Sequence, residues 1–337
     1  MKRITLAAVL VVTLAAAGGA QSGTGQATTE IAYATSFGNF GRDAYVFAAM
    51  ERGFFRSAGF DVKVTPGTGS LDNIRLVAAG RLDYAPVDIG ALVVAKAQES
   101  LPVKVVAVVH QNTLSAIFTL EESNITQPRQ LEGKAFADSP ASTVRVLLPI
   151  YARKAGFDPT RVTIRDAAPP ALPALLAAKQ VDAIGQFTVG KPLVSRAAGG
   201  KAIRAFRYAS VMPNMLGIGI IASEEKLRTR PGEVRRFTRA LLRGLAWSAD
   251  NPGRAGAILN ENVPLADPVV AAQELRIMRR FVRNRQTRQR GYGIGYIDLR
   301  KVASTISIVR NGFRITRPMP VADLYSTVAV PAQRPRR

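Results

Sequence analysis

Ser139, Ser142 and Thr143 follow closely on a short apolar run, Ala135-Phe136-Ala137-Asp138, and hydroxyls so placed are suited to binding rather than reacting. The pattern predicts a buried strand running straight into a helix. Ser139 is the expected N-cap, accepting from a free amide of the first turn, and Pro140 the first helical residue, where a missing N–H costs nothing. The amides of Ala141, Ser142 and Thr143 are then expected to point out of the strand's carboxyl end. Comparable groups recur where other predicted strands end: Phe37, Asn39 and Phe40; Gly69 and Ser70; Asp88; and Gln186 with Phe187. Singly, each is an ordinary loop residue. Together they fall at the edge where open α/β sheets bind ligands. Hydroxyls, amides and flat rings there would hold a small molecule by hydrogen bonding and stacking.

Nothing in the chain is placed to make or break a bond. There is no cysteine, which excludes disulfides, thiolate metal sites, cysteine nucleophiles and a lipoprotein anchor. The single histidine, His110, ends an apolar strand with no carboxylate or serine pattern to make it a base. No nucleophile elbow, Walker loop or histidine–carboxylate metal spacing occurs. Gly67-Thr68-Gly69-Ser70 lacks the third glycine of a dinucleotide fingerprint. Trp247 lies on the apolar side of a predicted helix and is expected in the core. The chain therefore reads as a binding protein and not an enzyme, with no catalytic residue, metal or cofactor.

The elements that must position these groups alternate. Strands at 31–35, 60–65, 82–87 and 103–109 are separated by helices at 42–52, from Ser70 to Gly80, and from Asp88 onward. That is βαβ spacing and implies a mostly parallel sheet with covered faces. The pattern restarts after a crossing strand at 116–120, with strands at 135–137, 162–164, 181–184 and 202–206. Past a return crossing at 216–221 only helices follow, the last ended by Gly312, and these are expected to pack on the first sheet. The predicted fold class is α/β: two lobes, each a mostly parallel sheet flanked by helices. Lobe 1 is discontinuous (30–112 and 217–337), lobe 2 is 113–216, and the two crossings form a hinge beside a cleft. Ahead of them, Lys2, Arg3, the apolar run 6–17 and Gly18-Gly19-Ala20 form the pattern of a secretory signal cleaved near Ala20. Residues 21–29 read as a flexible lead-in, so the expected location is periplasmic or extracellular.

Net charge is +22, which raises nucleic acid as a partner. The arginines are scattered, however. Their densest run (Arg276, Arg279, Arg280, Arg283, Arg285, Arg288 and Arg290) shares helical spacing with Leu275, Met278, Phe281 and Val282. One packed face and one solvated arginine face are expected, without interleaved aromatics to stack bases. An acidic partner or the anionic face of a membrane suits this surface better than nucleic acid.

Several stretches resemble one family. Met50-Glu51-Arg52-Gly53-Phe54-Phe55-Arg56-Ser57-Ala58-Gly59-Phe60-Asp61-Val62 is similar to a signature of substrate-binding proteins of ABC importers, the family shared by nitrate, sulfonate and taurine binders and the THI5-like thiamine-pyrimidine binders. Leu76-Val77-Ala78-Ala79-Gly80-Arg81-Leu82-Asp83-Tyr84, Ile125-Thr126-Gln127-Pro128-Arg129-Gln130-Leu131-Glu132-Gly133-Lys134, Gln180-Val181-Asp182-Ala183-Ile184 and Asn251-Pro252-Gly253-Arg254-Ala255 resemble further motifs of that family. The resemblance implies a type II-like periplasmic binding protein fold, a small-molecule ligand held between lobes by helix N-termini and loop side chains, and hinge closure on binding. It also implies docking of a monomer on a membrane permease driven by a cytoplasmic ATPase. The THI5-like branch includes a pyrimidine-making enzyme that depends on a cysteine-rich motif, and this chain has no cysteine to support that activity.

Charge placement bears on the ligand. Asp88 and Asp138 stand at expected helix N-termini, where a carboxylate opposes a bound anion. Phe37, Phe40 and Phe187 offer flat faces, and Asn39 and Gln186 offer donors and acceptors. A pyrimidine or similar heteroaromatic is the expected ligand, ahead of sulfonate, taurine or nitrate, with riboflavin also to be distinguished. From other classes, an exported polyanion binder and the effector domain of a transcription regulator compete. The second would need a helix-turn-helix where this chain has its signal pattern.

Overall fold

The computed structural model describes residues 28–289, 292–330 and 332–333. The predicted signal segment, nearly all of the lead-in, Arg290 and the last residues of the tail lie outside the described residues. The first unit runs β1 (Thr29–Ala34), α1 (Ala44–Glu51), β2 (Phe60–Thr65), α2 (Ser70–Ala78), β3 (Ala85–Asp88), α3 (Ile89–Glu99) and β4 (Val103–Val108). The second runs β5 (Ser115–Leu120), β6 (Ala135–Asp138), α4 (Thr143–Ala155), β7 (Thr163–Asp166), α5 (Leu172–Ala177), β8 (Ala183–Phe187), α6 (Lys191–Ala197) and β9 (Ile203–Arg207). The chain returns through β10 (Ile218–Ser223) to α7 (Glu224–Thr229), α8 (Pro231–Asp250), α9 (Pro252–Asn262), α10 (Pro268–Val282), α11 (Arg285–Gln289) and α12 (Leu299–Phe313).

The two lobes have the same plan. A parallel bridge, Tyr33↔Tyr84, links β1 to the strand pairs of the first lobe, giving the order β2-β1-β3-β10-β4, and the second sheet runs β7-β6-β8-β5-β9. In each sheet the strand just arrived from the other lobe is antiparallel to both neighbours: β10 between β3 and β4, β5 between β8 and β9. The other paired strands are parallel. Five of the six residues of β4 and all of β5 are buried, as near-continuous apolar strands covered on both faces should be. Apolar helix faces seal the sheets. On α8, Phe237 stacks on Tyr84 at 3.9 Å and on Phe55 at 5.3 Å, and meets Phe60 edge-on at 6.0 Å. Phe55 and Phe60 of the Met50–Val62 motif are thus core residues.

The crossings are laced together. Gly217 N donates to His110 O at 3.1 Å, Thr113 N to Met215 O at 2.9 Å, and the Asn112 amide to Pro213 O. From α12, Lys301 Nζ reaches Gln111 O at 2.6 Å and Asn112 Oδ1 at 2.9 Å, and Thr305 Oγ1 accepts from Leu216 N at 2.9 Å. The hinge is a buttressed pair of extended segments.

Four sequence expectations change. The C-terminal helices pack on lobe 1, but α10 also touches α6, and α12 touches α4. Gly312 lies inside α12 because that contact is close: a Cβ there would sit 2.5 Å from Ile150 Cδ1. The helix closes instead at Arg314, at φ 54. Helix α7, capped by Ser223 and unforeseen, precedes α8. Trp247 is half-buried rather than in the core, with the Arg52 guanidinium 5.3 Å from its ring centroid.

Candidate functional site

The predicted strand-end residues gather at the surface where the lobes meet, in two groups. In the first, Gly69 at φ 144 lies so near lobe 2 that a Cβ would come within 2.5 Å of Ala141 O, so only glycine fits. Beside it Ser70 Oγ and Thr143 Oγ1 share a hydrogen bond of 2.9 Å, Leu71 N donates to Ala141 O at 3.3 Å, and Ser139 Oγ donates to Thr68 O at 2.9 Å. These residues therefore touch the opposite lobe directly.

Two caps differ from expectation. Ser70 is the first residue of α2 and caps nothing; its hydroxyl accepts from Asp88 N at 3.0 Å. Ser139 does not cap α4 either: Ser142 does, accepting from Val144 N at 3.1 Å. The cause is Asp138, whose carboxylate accepts from Ser139 N at 2.8 Å and from Ser142 Oγ at 2.7 Å. The chain is held in a turn, Ser142 N to Ser139 O at 3.0 Å, before the helix begins, so Pro140 stays outside it. Ser142 and Thr143 are buried, and their groups are engaged within the turn and at the lobe contact. Asp88 does cap α3, its Oδ1 accepting from Gly90 N at 2.8 Å.

The second group holds Phe37, Phe40, Gln186 and Phe187 around a residue the sequence reading missed, Arg42. Its guanidinium lies 4.6 Å from the Phe40 ring centroid and 4.8 Å from that of Phe187, while Phe37 meets Phe187 edge-on at 6.1 Å. Nη2 donates to Phe37 O at 2.9 Å and Nη1 to Gln186 Oε1 at 3.4 Å, so Arg42 bridges the lobes. Asp43 Oδ2 is 3.6 Å from Nε, and Glu274 of α10 accepts from Arg42 N at 3.3 Å. The signal in the sequence was Gly41-Arg42-Asp43, a charged pair opening an otherwise apolar helix. Asn39 Oδ1 accepts from Thr35 Oγ1 at 3.2 Å. With Phe40, it lines an open, largely apolar cleft of about 530 Å³ between the α9–α10 corner and α5–α6.

Burial dominates the electrostatics. It pushes the Asp88, Asp138 and Glu274 carboxyls each up to about 7 and raises that of Asp43. Burial, assisted by the Arg42 charge, holds His110 down to about 3, so the imidazole is neutral. Among the described residues, Asp88 Oδ2, both His110 nitrogens, Gln111 Oε1, Ser115 Oγ and Gln186 Nε2 are buried without a hydrogen-bond partner. Groups so buried are normally satisfied. The unsatisfied set mixes donors and acceptors at the strand ends and crossings, and none forms a nucleophile–base pair. No cluster of histidine, cysteine, aspartate or glutamate able to hold a metal occurs among the described residues.

Residues 43–255, more than half of the chain, match the family model described as NMT1/THI5 like. The chain is 28% identical to the riboflavin-binding protein RibY of Chloroflexus aurantiacus over 72% of its length and 69% of that protein. It is 25% identical to a formylaminopyrimidine-binding protein of Halalkalibacterium halodurans, covering 65% of this chain and 66% of the other. In fold it superposes on the alkanesulfonate-binding protein SsuA of Xanthomonas axonopodis pv. citri with a TM-score of 0.68 at 13% identity, covering 88% and 98% of the two chains. Family and fold make the protein a solute-binding component of an ABC importer, working outside the cytoplasm with a membrane permease and its ATPase, and not an enzyme. A small molecule captured between two lobes is its cargo, and the chain belongs to the NMT1/THI5-like family.

Proposed function

We propose that the cargo is an uncharged, flat nitrogen heteroaromatic of the pyrimidine class, taken up between Phe37, Phe40 and Phe187 with Gln186 and Asn39 reading its edge. The observation that carries this reading is the Arg42–Phe40–Phe187 stack, a set of planar groups from both lobes beside buried, unsatisfied donors and acceptors. The charge balance supports it. One guanidinium faces Asp43 and Glu274, and Asp88 occupies its helix terminus, so an anion would meet carboxyls rather than bare amides. The named ligands of the two relatives, a riboflavin and a formylaminopyrimidine, both contain a pyrimidine ring and agree with this class. Lobe 2, 113–216, is the part that swings, and Gly69, Ser70, Ser139, Ser142 and Thr143 act as the closure contact rather than as ligand contacts. The exported form begins after Ala20 and is a monomer.

Isothermal titration of the purified protein with formylaminopyrimidine, uracil and riboflavin, set against taurine, an alkanesulfonate and nitrate, tests the reading. Binding by a pyrimidine-containing compound is expected. Binding by a sulfonate or nitrate alone would overturn it.

A further inference from the structure

Between Val234 and Leu245 of α8, every exposed position is an arginine: Arg235, Arg236, Arg239 and Arg243. Their spacing sets them on one side of the helix, opposite the core residues Phe237, Leu241 and Leu245. The layer beneath them is aromatic. The Arg243 guanidinium lies 4.3 Å from the Phe54 ring centroid, that of Arg236 lies 5.7 Å from Phe60, and that of Arg52 lies over Trp247. Phe54 and Trp247 are half-buried, so apolar ring and charged head share one surface.

Carboxylates on these helices stand at their ends. Glu51 is the last residue of α1, Glu233 engages Lys226 and Arg230, and Asp250 engages Arg279 and Arg283. The wider chain repeats the bias: 217–337 holds 23 Lys or Arg against nine Asp or Glu, whereas 28–112 holds eight of each. The face lies apart from the cleft, because α8 packs chiefly on α1, α9, α10, α7 and β4.

We propose that this face seats the protein on an anionic phospholipid surface, with guanidiniums on the headgroup phosphates and Phe54 and Trp247 at the headgroup–acyl boundary. Nucleic acid fits less well: base stacking needs a run of open ring faces, whereas Phe60 is buried and Phe54 and Trp247 are half-buried. Adsorption of this kind would hold loaded protein in the plane of its permease, whatever the cargo.

The test uses protein recovered from the exported fraction, sedimented with phosphatidylglycerol–phosphatidylcholine vesicles and with pure phosphatidylcholine vesicles. Trp247 is the chain's single tryptophan, so its emission reports this face alone. Binding to the anionic vesicles only, weakening with salt and accompanied by a blue shift, is expected. The Arg236→Gln/Arg239→Gln/Arg243→Gln variant should lose about fivefold per charge, roughly a hundredfold in all, and Arg276→Gln/Arg280→Gln on α10 far less. Should the triple variant not fold, Arg239→Gln alone and the salt series carry the same decision. Equal binding to both vesicle types, anionic binding without the emission shift, or equal loss in the α10 variant would overturn the proposal. So would heparin capture without vesicle binding.

Discussion

Arg42 is the buried residue that ties the two lobes together beside the cleft. Buried beside Asp43 and under two rings, it is neutralised within the cluster and aimed by the Phe37 carbonyl. Removing one member of a buried ion pair leaves the other uncompensated. Arg42→Ala is therefore expected to lower stability by about 3 kcal/mol, and Arg42→Ala/Asp43→Asn by less than the sum of the single changes. Urea unfolding of the four proteins measures both. Asp88 supplies a second expectation. Burial raises its pKa to about 7, above the ordinary 3.8, so the native state holds a proton that the unfolded chain releases between those values. Its contribution to stability thus falls as pH rises from about 4 to about 7 and is level beyond. Asp88→Asn removes that fall. Its melting temperature should gain on wild type across the same window, as scans at pH 4.5, 6 and 8 would reveal.

At the scale of elements, strand and helix order follows the sequence closely, because the alternation of β-branched apolar runs with capped amphipathic stretches is a local signal. The differences sit where a competing partner, near or far in the chain, overrides the expected helix end. Ser139 had the right chemistry, yet the Asp138 carboxylate draws both Ser139 N and Ser142 Oγ and delays α4. Gly312 looked like a helix end, yet it is a helical residue pressed against lobe 2. The anchoring of α8 is also tertiary: Phe237 stacks between rings supplied by Phe55 and Tyr84. Phe237→Ala should cost about 3–5 kcal/mol, read as an earlier denaturation midpoint with an unchanged m-value.

For the whole molecule, the crossings couple the lobes. A Cβ on Gly217 would come within 2.5 Å of Asn112 O on the facing crossing, so Gly217→Ala must spread the two segments. The expected outcome is weaker cargo binding without loss of either lobe's fold, visible as a larger radius of gyration in small-angle scattering of the cargo-loaded state. An unchanged radius and affinity would show that the crossings do not set closure.

The two-lobed α/β order was legible in the sequence because it rests on periodicity and short-range turn chemistry, and the family motifs were legible as a resemblance. Tertiary packing set which strand ends meet the opposite lobe, which gather around Arg42, and which, Asn39 and Phe40, line the cleft. It also revealed Arg42 between two rings that are distant in sequence, and gathered the arginines of α8 over Phe54, Phe60 and Trp247. The physical reason is the same in each case. Burial, ring stacking and the pairing of charges depend on neighbours that only the folded chain brings together, and no local pattern encodes them.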